Sequence, residues 1–435
     1  MSWFLQKGLS VNEAGNLTIG GCDTTALAAK YGTPLYVFNE DTILENCRRY
    51  KKTMDNLYAG NDMVIYASKA FCCKAMCRIA EAEGMGLDVV SGGELYTALE
   101  AGFPAKNIFF HGNNKTPDEL LSAVVNDVGT VVVDNIQELE LLNKTAVSQR
   151  KKMRVMLRVK PGVGAHTHDY VRTGQIDSKF GFALETGEAL NAAVHAQEMS
   201  NIELYGLHCH IGSQIFEDEP FAAAAEVMLG LFDKVREKTG VVLSALDLGG
   251  GFGIRYVEAN DPSPVENTLK LVADRVTEVC SRLDLPVPKM MIEPGRSIVG
   301  DAGITLYHVG TVKNIPGIRT YVSVDGGMTD NPRYALYHSE YTAVIANKAL
   351  QPADSIVTIA GKCCESGDLL GENLPLQSAE TGDILAMLDT GAYCYSMASN
   401  YNRIPRPAAV LVKNGGHSEL MIRRETWEDA AALDI

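Results

Sequence analysis

The sequence predicts an α/β chain in two parts. A (β/α)8 barrel spans 41–301, and a β-sandwich or β-barrel domain is built from 1–40 and 302–435. Three observations predict this. Between Met63 and Ile292, eight short apolar runs alternate with helical stretches, the pattern of parallel strands joined by helical crossovers. After about Asp301 that alternation stops, and short β-rich runs follow, separated by Gly, Pro and Asp. Finally, 435 residues exceed what one hydrophobic core sustains.

Residues up to about 40 read as irregular structure and short strands, ending in the apolar run Pro34 to Phe38. The barrel units then follow in order. Met63 to Ala67 is a strand followed by a helix from Ala70 to Glu83, and Leu87 to Val90 is followed by a helix from Gly93 to Ala101. Ile108 to Phe110 leads to Pro117 to Val125, and Val131 to Val133 leads to Gln137 to Leu142. Val155 to Val159 precedes a long loop and a helix near Ala189. Glu203 to Cys209 precedes Pro220 to Val235, and Ala245 to Leu248 precedes Val265 to Leu283. In that last helix Val265, Leu269, Val272, Val276, Val279 and Leu283 share one face. Met290 to Ile292 is the eighth strand. The β-rich runs beyond are Ile304 to Gly310, Arg319 to Val324, Ile356 to Ala360, Ile384 to Leu388, Ala408 to Lys413 and Glu419 to Arg423, and Leu35 to Phe38 is expected to pair with them.

Composition narrows the partners. Acidic residues number 54 against 39 basic, a net charge of −15, with no Lys/Arg block, which argues against nucleic acid and anionic membrane. An anionic ligand then needs locally placed arginines. The ten cysteines include the adjacent pairs Cys72-Cys73 and Cys363-Cys364, which read as cytosolic thiols. Met1 to Asn16 has no basic region followed by an apolar run, and no apolar stretch reaches the roughly eighteen residues of a membrane span. A cytoplasmic protein is expected.

In such barrels the site lies at the C-terminal ends of the strands. Lys69 follows the first strand, in Tyr66-Ala67-Ser68-Lys69. A lysine after a strand is ordinarily a surface residue, but one desolvated at the end of a buried strand becomes a nucleophile and a covalent anchor. His208-Cys209-His210-Ile211-Gly212-Ser213 ends the sixth strand, with His208 and His210 on one side. A third metal ligand with an obvious motif is missing, so no metal is expected; an imidazole against a planar cofactor fits better. Asp247-Leu248-Gly249-Gly250-Gly251 follows the seventh strand, where glycines let backbone N–H groups close on a phosphate. Glu293-Pro294-Gly295-Arg296 follows the eighth and supplies a carboxylate and a guanidinium, which alone could be a salt bridge closing the barrel. In the β domain, the loops around Arg333 and Tyr337, Cys363 to Asp368, and Asp389 to Tyr393 gather ionisable and aromatic residues beside glycines.

Taken in order, from about Pro34 to Pro407, these segments resemble the fold-type III pyridoxal-phosphate decarboxylases, whose barrel is of the alanine-racemase type. The resemblance implies pyridoxal 5'-phosphate held by the barrel, with Lys69 binding the aldehyde, His210 on the ring face and Ser213 beside the cofactor. Gly250 and Gly251 match the phosphate loop, Gly295 a cofactor-binding position, Glu293 the acid that keeps the pyridine nitrogen protonated, and Arg296 a phosphate or substrate-carboxylate site. Arg333 and Tyr337 match a substrate-binding Arg-x-x-x-Tyr in which Tyr334 stands where proline is usual, and Tyr393 matches a tyrosine that reaches cofactor and substrate. Cys364 and Glu365 match a Cys-Glu pair contributed by the second subunit, which implies a homodimer with shared sites; Cys364 would return a proton to Cα.

The expected activity is decarboxylation of meso-2,6-diaminopimelate to L-lysine. Its distal end carries a carboxylate, which suits Arg296 and Arg333, and an ammonium, which suits Glu365. Ornithine or arginine would leave buried guanidinium groups without an anion. The alternatives are a polyamine-pathway decarboxylase, a racemase on a similar barrel, and a non-catalytic cofactor-binding relative that regulates a partner. The loop from Lys160 to Phe180 contains Gly162, Gly164 and Gly174, the backbone freedom a lid needs and ordinary loops share.

Overall fold

The computed structural model describes residues 3–5, 8–164, 178–413 and 415–435. The middle of the Lys160 to Phe180 loop, the lid candidate, lies outside them. The chain forms two compact units: Cys47–Gly253 with Pro262–Gly295, and Met1–Asn46 with Ile254–Asp261 and Arg296–Ile435.

In the first unit, eight parallel strands among the described residues close on themselves: Asp62–Ala67, Gly86–Val89, Ile108–Phe110, Thr130–Val133, Met153–Lys160, Ile202–Cys209, Ala245–Asp247 and Lys289–Ile292. Each pairs with its successor, and Ile292 opposite Val64 completes the ring. Ile65, Phe109, Val132, Met156, Ala245 and Met291 form one buried cluster, the packed interior expected of such a barrel. A short strand absent from the sequence reading, Phe182–Ala183, adds in parallel to the fifth.

Local chemistry sets the helix starts. Thr116 and Glu119 form a reciprocal capping box at Pro117–Val125, with proline at the first turn. Ser91 caps Gly92–Glu100 and Asn135 caps Ile136–Ser148. Val265, Leu269, Val272, Val276 and Val279 of Val265–Leu283 are buried as the periodicity predicts. The helix expected from Ala70 instead begins at Lys74, because Phe71 and Cys73 are extended and the Cys73 thiol accepts the Met76 N–H. Lys69 therefore sits on a separate 3-10 turn, Ser68–Ala70.

The second unit carries a sheet in the order Leu369–Leu376, Ser355–Ala360, Arg319–Val324, Gly303–Ile315, Leu35–Asn39, Ala408–Lys413, His417–Ile422. Leu35–Asn39 pairs antiparallel with Gly303–Ile315 and parallel with Ala408–Lys413, so the early strand is central to this sheet. Leu17, Leu35, Val37, Leu306, Val344, Ala386 and Val410 pack into one core, each fully buried Leu or Val contributing about 1.5–3 kcal/mol. The N-terminal segment also holds a helix that the sequence reading did not separate, Thr24–Tyr31, capped by Asp23.

Candidate active site

In the barrel unit the sequence-predicted residues lie at the C-terminal ends of the strands, joined by Asp88 and His111, which no motif singled out. Ala67 ends the first strand, and its N–H donates to Pro294 O. The turn beyond presents Lys69, whose Nζ lies 2.7 Å from Asp88 Oδ2. The Lys69 side chain is 34% exposed and Asp88 fully buried. The expected desolvated amine is thus corrected: it is partly exposed and meets a buried carboxylate. Asp88 stands opposite Ala67 on the second strand, which sets that distance. The buried Lys115 is not a rival anchor, since its Nζ donates to Gly112 O, Val132 O and Glu138 Oε1.

Glu293, just beyond the eighth strand, is met on both oxygens. Oε1 lies 2.7 Å from His111 Nε2, and Oε2 lies 3.3 Å from His208 Nε2. Burial alone would raise its carboxyl, but the facing His111 and His208 hold it well below the usual carboxylate range. Burial pushes His208 down to about 4 against the pull of Glu293, so its ring is neutral near pH 7. Asp247 goes the other way: burial, then the neighbouring Glu293, pushes it well above the usual value while it accepts the Gly249 N–H at 2.8 Å. Two acids in one pocket are driven to opposite protonation states. His111, His208 and Glu293 bring ligand-type atoms within 4.8 Å of one another, so the third group that no motif announced beside His208 is present.

His210 Nδ1 accepts the Gly250 N–H at 3.3 Å, which fixes the ring plane. Desolvation, with the cations of Lys69 and Arg158 nearby, pushes this imidazole well below its usual pKa. The glycine loop is required sterically: a Cβ on Gly250 would lie 2.2 Å from Glu293 O, and one on Gly251 (φ +119°) 2.7 Å from Gly212 O. Gly295 packs its bare Cα against Ala67 and Ala70, next to the Lys69 turn. Ser213 is half-buried beyond His210.

The second unit holds its own cluster. Arg296 donates to Tyr256 Oη at 2.6 Å, and its guanidinium lies 4.8 Å from the Tyr393 ring centre. Arg333 opens the short helix Arg333–Tyr337, and its guanidinium lies 5.4 Å from the Tyr337 ring and 5.8 Å from that of Tyr393. Tyr393 thus faces both arginines, from a left-handed backbone at φ +58°. Arg333 is buried; its burial works against the charge, but the phenols of Tyr341 and Tyr256 and the Cys394 thiol push its pKa up. Nη2 donates to Ser339 Oγ at 3.3 Å, while buried Nε has no hydrogen-bond partner among the described residues. Tyr334, in place of the usual proline, donates to Glu372 at 2.7 Å. Cys363 is turned inward and buried, whereas Cys364 and Glu365 are exposed.

Asp88, His111, His208, Asp247 and Tyr256 complete these clusters, and none was selected as a site residue from sequence. His111 directly follows a predicted strand, and Asp88 and Asp247 lie within two others, so strand position was the available signal. All ten cysteines are free. No helix among the described residues is long and apolar enough to cross a membrane.

A family model described as pyridoxal-dependent decarboxylase, pyridoxal binding domain, matches residues 40–300. Diaminopimelate decarboxylase of Bacillus methanolicus is 52% identical over 423 residues, 97% of this chain and 98% of that one. The enzyme of the same name from Bacillus subtilis (strain 168) is 50% identical over 433 residues, 99% of this chain and 98% of that one. Among solved structures, diaminopimelate decarboxylase from M. jannaschii in complex with L-lysine superposes with a TM-score of 0.91 at 35% identity, covering 98% of this chain and 97% of that one.

Proposed function

The chain belongs to the pyridoxal-dependent decarboxylases, and from that premise we propose that it converts meso-2,6-diaminopimelate to L-lysine and CO2, the last step of lysine biosynthesis. It is a carboxy-lyase. The observation that carries the reading is one set of groups at the barrel mouth: an amine paired to a buried acid, a neutral imidazole, an ionised carboxylate and a loop with no Cβ atoms. That donor set fits pyridoxal 5'-phosphate. Lys69 would hold the aldehyde, His210 a ring face, Glu293 the pyridine nitrogen, and Ser213, Gly250, Gly251, Gly295 and Arg296 the phosphate side; Tyr393, on the family resemblance, would reach cofactor and substrate. When bound, the cofactor supplies the electron sink for the pair left as CO2 departs.

The remaining work falls to the protein. Asp88, 2.7 Å from Lys69, is placed to hold and return the proton of that amine. Arg333 and Tyr337, with Arg296, receive the substrate's distal carboxylate; the unpartnered Nε of Arg333 is a donor waiting for such an anion. A diamine precursor such as ornithine brings no anion there, which disfavours the polyamine-pathway alternative. Cys364 delivers a proton to the substrate Cα, and Glu365 meets the distal ammonium. Their exposure on this chain supports a site completed by the second copy of a homodimer. We assign the protein to the cytoplasm, in keeping with its free thiols.

The test is a product assay. Purified protein with the cofactor is offered meso-diaminopimelate, ornithine, arginine and lysine, and CO2 and amines are measured. Lysine formed from diaminopimelate alone supports the assignment; turnover of ornithine or arginine at a comparable rate overturns it.

A further inference from the structure

His111 appears in no motif that the function absorbed, yet it makes the shortest contact to Glu293. We propose that His111 is a positioning residue that holds Glu293 ionised and aimed, and through it keeps the cofactor's pyridine nitrogen protonated. The inference rests on the cofactor reading above and deepens it.

The imidazole is fixed before any ligand arrives. His111 directly follows the third barrel strand, its N–H donates to Val89 O at 2.8 Å, and its side chain is only 3% exposed. Nε2 lies 2.7 Å from Glu293 Oε1 and 3.9 Å from Asp88 Oδ1. The second support of Glu293 is on its other oxygen: His208 Nε2 hydrogen-bonds Oε2 at 3.3 Å, and burial keeps that ring neutral, whereas His111 meets Oε1 as a close ion-pair contact outside hydrogen-bond geometry. Facing the same carboxylate from other strands are Asp247, Arg158 and His210, while Asp88 faces His111. Asp247 raises the cost of a carboxylate there, so the imidazole 2.7 Å from Oε1 decides the balance.

The geometry also links the two ends of the site. Asp88 holds Lys69 with one oxygen and turns the other toward His111 Nε2 at 3.9 Å, the same nitrogen that meets Glu293, so one nitrogen stands between the acids of both anchors. Removing that ring leaves a buried carboxylate short of a partner, whose proton affinity then rises. With the cofactor bound, one proton would be shared between Glu293 and the ring nitrogen, and a Glu293 that took it would leave the nitrogen neutral.

The experiment uses holoenzyme loaded with pyridoxal phosphate labelled with 15N in the ring. Wild type, His111→Gln and His111→Leu are compared by the 15N shift at pH 7.5 and by the pH dependence of the bound-cofactor absorbance. Gln places an amide N–H near the Nε2 position, and Leu removes the donor. The expected result is a protonated-nitrogen signal in wild type and His111→Gln, and a neutral-nitrogen signal in His111→Leu, with CO2 release at least tenfold slower in the last. If the leucine variant does not fold, His111→Asn replaces it, since its shorter amide falls short of Glu293. A protonated signal in every folded variant overturns this inference alone. Wild-type protein that takes up no cofactor overturns the function proposed above, and this inference with it.

Discussion

Lys69 and Asp88 form an ion pair of 2.7 Å between an amine a third exposed and a carboxylate with no exposure at all. A cation held by a buried acid is oriented as well as charged, and Asp88 Oδ2 is the oxygen that holds it. Asp88→Asn keeps the shape and removes the charge. We expect cofactor still to load on Lys69, with decarboxylation slowed by about 10²-fold, the scale of a lost general base. Unchanged turnover would show that the pair is structural only.

Arg333 offers a buried donor without a partner. Arg333→Ala should raise KM for diaminopimelate by about 10²-fold, the size of a lost charged hydrogen bond, and leave cofactor affinity within about twofold. Steady-state kinetics and cofactor titration measure the two separately. Equal losses in both would remove Arg333 from the substrate's distal end.

The glycine loop gives a stability prediction. A methyl group on Gly250 would stand 2.2 Å from the Glu293 carbonyl oxygen, a backbone atom that cannot swing aside. Gly250→Ala should cost at least about 2 kcal/mol, as overpacking does, seen as a lower thermal midpoint without cofactor. A midpoint equal to wild type would mean that the loop is looser than its contacts indicate.

His208 sets a pH dependence. Its folded pKa, about 4, lies below the unfolded value of 6.5. Between those values the unfolded chain binds the extra proton, so this residue's contribution falls as pH drops from about 6.5 to 4. Asp247 acts oppositely, since its raised folded pKa makes its contribution fall as pH rises above the usual carboxyl value. The two are separated by variant: His208→Gln should be less acid-sensitive than wild type over that window in thermal unfolding. Parallel curves would mean that the imidazole titrates normally when folded.

The proposed sharing of sites between two copies gives a mixing prediction. Lys69→Ala and Cys364→Ala should each be nearly inactive, and mixing and re-associating them should restore about one quarter of wild-type activity, because half the dimers carry one intact site of two. No recovery, with exchange of subunits confirmed, would place both residues of each site on one chain.

Much of this was legible in the sequence, for identifiable reasons. The eight strands and the face of Val265–Leu283 are carried by apolar periodicity, which survives folding because burial depends on it. Lys69, His210 and Glu293 were legible because motifs place them at strand ends. What the sequence left hidden is pairing across strands. Asp88 and His111 are one acid and one imidazole in apolar surroundings, and only the barrel's register brings them to Lys69 and Glu293. Likewise, nothing local announces that Tyr393 faces two arginines 37 residues apart in number, 333 minus 296. The start of the helix at Lys74 depended on a cysteine cap, which helix propensity alone does not reveal.

The measurement that tests the central claim most directly is the location of the cofactor bond. Protein loaded with pyridoxal phosphate is reduced with borohydride, digested, and its modified peptide sequenced by mass spectrometry. The account predicts the pyridoxyl group on Lys69, with no modification in Lys69→Ala. A group found on Lys115 or any other lysine, with Lys69 unmodified, would contradict it.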